Sequence, residues 1–218
     1  MAVKAVLFDL DGTLIDTAPD FIVVLNRLLE EEGRRPLPEQ PIRDTVSSGA
    51  KALVKLGFKL EESDSEFERL RLRLLELYSD HLAVYSKPFN GIELLLEQLT
   101  KHKLHWGIAT NKPEVYTTPL LQQLQLSPAS VICPDHVQER KPHPESLLLA
   151  GKQLNCSPTE MIYIGDHQRD IECGRRAGAI TITARYGYIE ENDNPDHWQA
   201  DHIVDCANEL WPIIKTYL

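Results

Sequence analysis

Hydrophobic positions along this chain follow two different rhythms, and the change from one to the other divides it. Residues 5–8 (Ala-Val-Leu-Phe) are an apolar run without a polar interruption, the pattern of a strand covered on both faces. From Thr17 onward the spacing lengthens. Phe21, Val24, Leu25, Leu28 and Leu29 recur at helical intervals, and Gly33 ends the segment. Thr17 is placed to cap this helix, with Asp20 three residues on, in the manner of a capping box. Residues 39–57 predict one or two short helices, interrupted near Ser47-Ser48-Gly49. Residues 63–85 predict a longer one, with Phe67, Leu70, Leu74, Leu77, Tyr78 and Leu82 as its buried stripe.

The texture changes at Lys87-Pro88-Phe89-Asn90-Gly91. Beyond it, helical segments (92–102, 113–125, 144–154, 170–177, 207–217) alternate with short apolar strands (104–110, 130–133, 161–165, 180–183, 203–204). This alternation predicts an α/β fold, a doubly wound (Rossmann-like) parallel sheet with helices on both faces. The first strand belongs to that pattern, yet a helical block separates it from the rest. Residues 1–16 and 87–218 therefore read as a core domain, and 17–86 as an all-helical cap inserted after strand one. Ligands bind beyond the carboxyl ends of the strands in such sheets. An insertion leaving from that end would hang over them as a lid.

Composition narrows the function classes. A chain of 218 residues can bury roughly 70% of its unfolded surface. A net charge of -10 argues against a general nucleic-acid binder and against an anionic membrane surface. No apolar stretch approaches the roughly 20 residues that span a bilayer. The start of the chain lacks a charged-then-apolar signal pattern. Cys133, Cys156, Cys173 and Cys206 are scattered without C-x-x-C spacing, as expected of reduced thiols in a cytoplasmic protein. A monomer or homodimer is expected.

The candidate chemistry sits where strands end. Strand one runs into Asp9-Leu10-Asp11-Gly12-Thr13. Were strand geometry to persist, Asp9 and Asp11 would point the same way, and two such carboxylates call for a cation or a basic partner. Thr110-Asn111-Lys112 follows the second apolar strand. Arg140-Lys141 follows the third after a loop, and Gly165-Asp166-His167-Gln168-Arg169-Asp170 follows the fourth. Singly, each has a bland reading as a helix cap or a solvated charge. Together they bring hydroxyl, amide, cation and carboxylates to one end of the sheet.

These four stretches, in order and spacing, resemble the haloacid dehalogenase-like hydrolases. The likeness covers the whole chain, including the helical block between the first and second stretches. Within that superfamily the chain is similar to the phosphoglycolate phosphatase group, on Asp16-Thr17-Ala18-Pro19-Asp20-Phe21, Ile132-Cys133-Pro134-Asp135-His136-Val137 and Arg185-Tyr186-Gly187-Tyr188-Ile189. It implies a small phosphate ester as substrate, a phosphorylated sugar or sugar acid such as N-acetylmuramic acid 6-phosphate or 2-phosphoglycolate.

Chemistry assigns roles consistent with that likeness. Asp9 is the expected nucleophile, forming an aspartyl-phosphate. Asp11 is the expected acid and base, protonating the leaving alkoxide and then activating water. Four carboxylates at a site for an anion are untenable without cations, so magnesium is expected on an Asp9 side-chain oxygen, the Asp11 carbonyl and Asp166, with Asp170 direct or through water. Lys141 would face the nucleophile and the phosphoryl oxygens. Thr110 and Asn111 would join Lys141 in binding phosphate. Arg43, Ser48, Gly49 and Lys51 are the cap residues proposed to contact the leaving group. A phosphosugar mutase on the same fold, or a non-catalytic phosphosugar sensor, are the alternatives.

Overall fold

A computed structural model describes residues 2–191 and 193–218. Strand β1 (Ala5–Phe8) is followed by a two-residue strand β2 (Ile15–Asp16). Four helices come next: α1 (Ala18–Glu31), α2 (Glu39–Thr45), α3 (Gly49–Phe58) and α4 (Phe67–Asp80). The short strand β3 (Lys87–Pro88) then returns antiparallel to β2. The rest alternates: α5 (Ile92–Lys101), β4 (His105–Ala109), α6 (Glu114–Gln123), β5 (Ser130–Ile132), α7 (Glu145–Leu154), β6 (Met161–Gly165), α8 (Gln168–Ala177), β7 (Ile180–Ala184), β8 (His202–Val204) and α9 (Leu210–Ile214).

The main sheet has six strands in the order β5-β4-β1-β6-β7-β8, all parallel. β1 lies in the middle, between β4 and β6, where the winding reverses direction. Its alternating side chains explain its unbroken apolar run. Val6 and Phe8 join Ile92, Leu99, Leu210 and Ile214 from α5 and α9 on one face. Ala5 and Leu7 join Leu147, Ala150 and Cys173 from α7 and α8 on the other. Each fully buried Val, Leu or Phe side chain contributes about 1.5–3 kcal/mol, so a polar residue at any of these positions would be costly. The expected α/β class and doubly wound sheet are what the chain adopts.

The helical stripe of α1 (Phe21, Val24, Leu25, Leu28) packs in the same apolar cluster as Leu53 and Val54 of α3 and Leu70, Leu74 and Leu77 of α4. Two local expectations are corrected. The long helix covers Phe67–Asp80 rather than 63–85, because Asp64 accepts the Glu61 N–H in a turn before it and Ala83 turns left-handed at φ 58° after it. The last helix shrinks to Leu210–Ile214, flanked by 3-10 turns.

The Thr17–Asp20 capping box does not form. The Thr17 hydroxyl donates to Asp11 Oδ1 (2.6 Å) instead, and the Tyr188 hydroxyl accepts the Ala18 N–H (2.8 Å). Asp20 is fully buried and accepts from the Tyr85 and Ser86 backbone N–H groups (2.8 and 3.0 Å). It thereby ties the chain's exit from the sheet to its return. Among the described residues, no helix is long and apolar enough to cross a membrane.

Candidate active site

β1 stops at Phe8, and the next residues fold into a tight loop. Leu14 and Ile15 N–H groups both bond the Leu10 carbonyl (3.1 and 2.9 Å). Gly12 turns at φ 82°, and a Cβ there would lie 2.1 Å from Asp166 Oδ2, so only glycine fits. The expectation of a shared face for Asp9 and Asp11 is therefore corrected: they leave strand geometry and take different partners. Asp9 is buried, accepting from the Leu10 N–H (2.7 Å) and lying 2.9 Å from Lys141 Nζ. Asp11 is partly exposed and accepts from Thr17 and from Lys112 Nζ (2.9 Å).

Lys141 is the hub on the Asp9 side. It is 2% exposed. Its ammonium also donates to Asp170 Oδ1 (2.6 Å) and to the Tyr163 hydroxyl (2.9 Å), which in turn donates to the Ala109 carbonyl (2.7 Å). Burial opposes charge on Lys141, but Asp170 and Asp9 outweigh it and raise its pKa. Burial likewise opposes charge on Asp9, and here Lys141 and Arg169 prevail, holding the carboxyl below its usual range. Asp9 is thus kept anionic, as a nucleophile requires.

Carboxylate oxygens of Asp9, Asp166 and Asp170 lie within 4.8 Å of one another, all buried. The Asp11 side chain is outside this cluster, which leaves only its backbone carbonyl for the ligand role expected of it. The Thr13 hydroxyl donates to Asp166 Oδ1 (2.9 Å), and the Tyr188 N–H to Oδ2 (2.9 Å). Burial, with the charges of Asp9 and Asp170, pushes Asp166 up to about 7. Burial also raises Asp170, against the pull of Lys141. Such a cluster is short of positive charge. Its all-oxygen donor set fits a hard divalent cation such as magnesium.

The remaining sequence candidates divide. Thr110 is buried, lines the cavity beside Asp9 and accepts the Lys112 N–H on its hydroxyl (3.1 Å). Asn111 lines the cavity too, but its carboxamide donates to the Lys141 carbonyl and accepts the Lys141 N–H, both at 3.2 Å. Its carboxamide thus holds the backbone of Lys141 at the cavity wall. His167 caps α8 in a reciprocal box with Asp170, its Nδ1 accepting the Arg169 N–H (3.2 Å). Burial, followed by Arg169, lowers it to about 4, leaving the neutral ring that an accepting Nδ1 needs.

A cavity of about 430 Å³ lies between these strand ends and the helical block. Ser48, Gly49 and Lys51 line it as expected. Ser48 donates to Glu190, however, and Lys51 pairs with exposed Glu62. Arg43 is not in the lining: it pairs with Asp16 (2.8 Å) and rests over the Tyr188 ring (5.2 Å).

Ser47, from the helix-breaking Ser47-Ser48-Gly49 stretch, and three residues the sequence reasoning passed over stand closer to the chemistry. Ser47, in the 3-10 turn Val46–Ser48, donates its hydroxyl to Asp166 Oδ2 (2.9 Å). Arg169 Nη2 donates to the Ser47 carbonyl. Lys112, 8% exposed, bridges Asp11 and the Tyr78 hydroxyl (2.8 Å). Tyr78, on α4, stacks on Phe21 with ring centroids 4.0 Å apart. Lys112 and Arg169 sit inside stretches already singled out, so their presence was legible although their partners were not.

Comparison with known proteins agrees with this geometry. Residues 6–184 match the family described as haloacid dehalogenase-like hydrolase. The chain is 48% identical to N-acetylmuramic acid 6-phosphate phosphatase of Pseudomonas aeruginosa, covering 100% of this chain and 97% of that protein. It is 38% identical to phosphoglycolate phosphatase of Xanthomonas campestris pv. campestris, covering 95% of each. Among solved structures, a predicted phosphoglycolate phosphatase from Haemophilus somnus superposes with TM-score 0.84 at 24% identity, over 97% of both chains. A hydrolase from Pseudomonas syringae does so with TM-score 0.75 at 24% identity, over 98% of both. At that identity the two structures speak for the fold.

Proposed function

The chain belongs to the haloacid dehalogenase-like hydrolases, and from that footing we propose that it is a magnesium-dependent phosphatase of a small phosphorylated sugar or sugar acid. N-acetylmuramic acid 6-phosphate is the leading substrate and 2-phosphoglycolate the second, in line with the relatives that carry those names. The observation that carries the reading is the buried Asp9–Lys141–Asp170 array beside Asp166, with Asp11 held separately at the edge of the same cavity.

In this reading Asp9 attacks phosphorus, and its new O–P bond forms as the bond to the leaving oxygen breaks. Asp11 gives its proton to that oxygen. Asp11 then takes a proton from water, whose oxygen attacks the phosphorus of the aspartyl-phosphate and frees Asp9 and inorganic phosphate. Lys141 stays fixed on Asp9 throughout and balances the phosphoryl charge. Thr110 and the loop N–H groups hold the phosphoryl oxygens. Asp9, Asp166 and Asp170, with the Asp11 carbonyl as a further candidate, would hold magnesium. When bound it supplies the positive charge this cluster lacks.

Residues 17–86 serve as a cap over the core formed by 1–16 and 87–218. The β2–β3 pair, where both connections cross side by side, supports this division. The four free cysteines support a reducing, cytoplasmic setting for the enzyme. The test is phosphate release from a panel of small phosphate esters by wild type and Asp9→Asn, with and without a chelator. We expect turnover of a sugar acid phosphate that falls by about 10⁴-fold or more in the variant and stops on chelation. Equal turnover by the two proteins would remove the nucleophile assignment, and a rate indifferent to chelation would remove the metal.

A further inference from the structure

The cavity carries more positive charge than the phosphoryl site accounts for, in a protein whose net charge is -10. Lys51, Arg71, Lys112, Arg140, Lys141 and Arg169 all line it. Most are committed. Lys141 is held by Asp9 and Asp170, Lys112 by Asp11, Arg71 by Glu68 and Lys51 by Glu62. Among the described residues, Arg140 and Arg169 are the cavity-lining cations without a paired carboxylate, although Arg169 still acts on Asp9 through space.

Arg169 is the more constrained of the two. It sits in the first turn of α8, between His167 and Asp170, so the backbone that fixes Asp170 also fixes its origin. Its Nη2 donates to the Ser47 carbonyl, while its Nε is sealed from solvent with no acceptor. A buried donor left unmet costs free energy and calls for an explanation, such as strain, a catalytic role, or a bound water or ligand. Ser47 belongs to the helical block and its hydroxyl also reaches Asp166, so the contact places Arg169 where the block meets the carboxylate cluster. An in-line attack by Asp9 sends the leaving group away from Asp9, toward that block. The phosphoryl side is already served by Lys141 and Thr110.

We propose that Arg169, assisted by Arg140, binds a carboxylate on the leaving group, and so makes the enzyme selective for phosphorylated acids over neutral phosphosugars. The inference rests on the phosphatase reading above and sharpens it. The planar guanidinium fork suits a carboxylate, and the shielded setting strengthens the pair. It also moves this role away from Arg43 and Lys51, whose charges are spent elsewhere.

The test compares two pairs of esters, each an acid and its neutral counterpart: N-acetylmuramic acid 6-phosphate against N-acetylglucosamine 6-phosphate, and 2-phosphoglycolate against 2-hydroxyethyl phosphate. Wild type is expected to prefer at least one acid. In Arg169→Gln, kcat/KM should fall for both esters, because Arg169 also helps hold Asp9 anionic, but about 100-fold further for that acid than for its neutral counterpart, the extra loss mostly through KM. Arg169→Lys should recover part of the preference, and Arg140→Gln should show a smaller loss of the same kind. An equal fall for acid and neutral ester in both Arg169 variants would assign Arg169 to phosphoryl transfer or to folding and overturn the proposal. So would a wild type with no preference in either pair, although the phosphatase reading would then stand. No phosphate release from any of the four esters overturns that reading and this inference together.

Discussion

Two buried lysines flank the catalytic loop, and they are anchored differently. Lys141 pairs with Asp9 and Asp170 and bonds Tyr163, partners that belong to the loop after β1, to α8 and to β6. Lys112 pairs with Asp11, but its other partner, Tyr78, belongs to α4 in the helical block. Burial opposes the charge of each, and the neighbouring aspartates overcome it, so both have raised pKa values. The proposed nucleophile, Asp9, is thus fixed within the sheet and α8. The proposed acid–base residue, Asp11, is fixed jointly by the sheet and the helices. Movement of the helical block would leave Asp9 aligned while loosening Asp11, which ties proton transfer to a covered cavity.

The contrast is broken most severely on the Asp9 side. Lys141→Met should lower kcat by about 10²–10³-fold, the range for removing one preorganised charge. It should also cost about 3–5 kcal/mol of stability, because Asp9 and Asp170 would stay buried without their partner. Kinetics and denaturant unfolding check both halves. A stable variant with normal kcat would undo the hub assignment.

On the Asp11 side the expected losses are smaller. Lys112→Met should reduce kcat by about 10–100-fold with KM nearly unchanged, since it disturbs a proton-transfer group and not the phosphate site. A loss carried mainly by KM would show that Lys112 binds substrate instead. Tyr78→Phe keeps the ring on Phe21 and removes only the hydroxyl, so it should cost about 1 kcal/mol, a several-fold drop in kcat. If Tyr78→Phe matched Lys112→Met, the tether through α4 would matter more than the charge on Asp11. Arg43→Gln should have the smallest effect. Arg43 faces Asp16 and Tyr188 outside the cavity, so kcat/KM should stay within about 2-fold. A larger change in KM would return Arg43 to the substrate.

Much of this was legible in the residues. Apolar runs and helical spacing located the sheet strands, and the predicted strand 161–165 is the observed β6, Met161–Gly165. The chemistry at the strand ends pointed to one site because parallel strands present their carboxyl ends on the same side. The β2–β3 pair was not legible, since two residues per strand carry no period. Nor was the loss of the Thr17 cap, because its rival acceptor, Asp11, becomes available only after the loop at Gly12 has turned.

By itself, then, the sequence determined the elements, their alternation and the loops on which acids, amides and cations gather. Those properties depend on near neighbours and on periods of two and 3.6 residues. Tertiary structure decided which charge meets which. Lys141 reaches Asp9 and Lys112 reaches Asp11, Asn111 is spent on the Lys141 backbone, Arg43 on Asp16, and Arg169 keeps donors free. Ion pairs are selected by distance and burial among groups far apart in the chain, and spacing along the chain encodes neither.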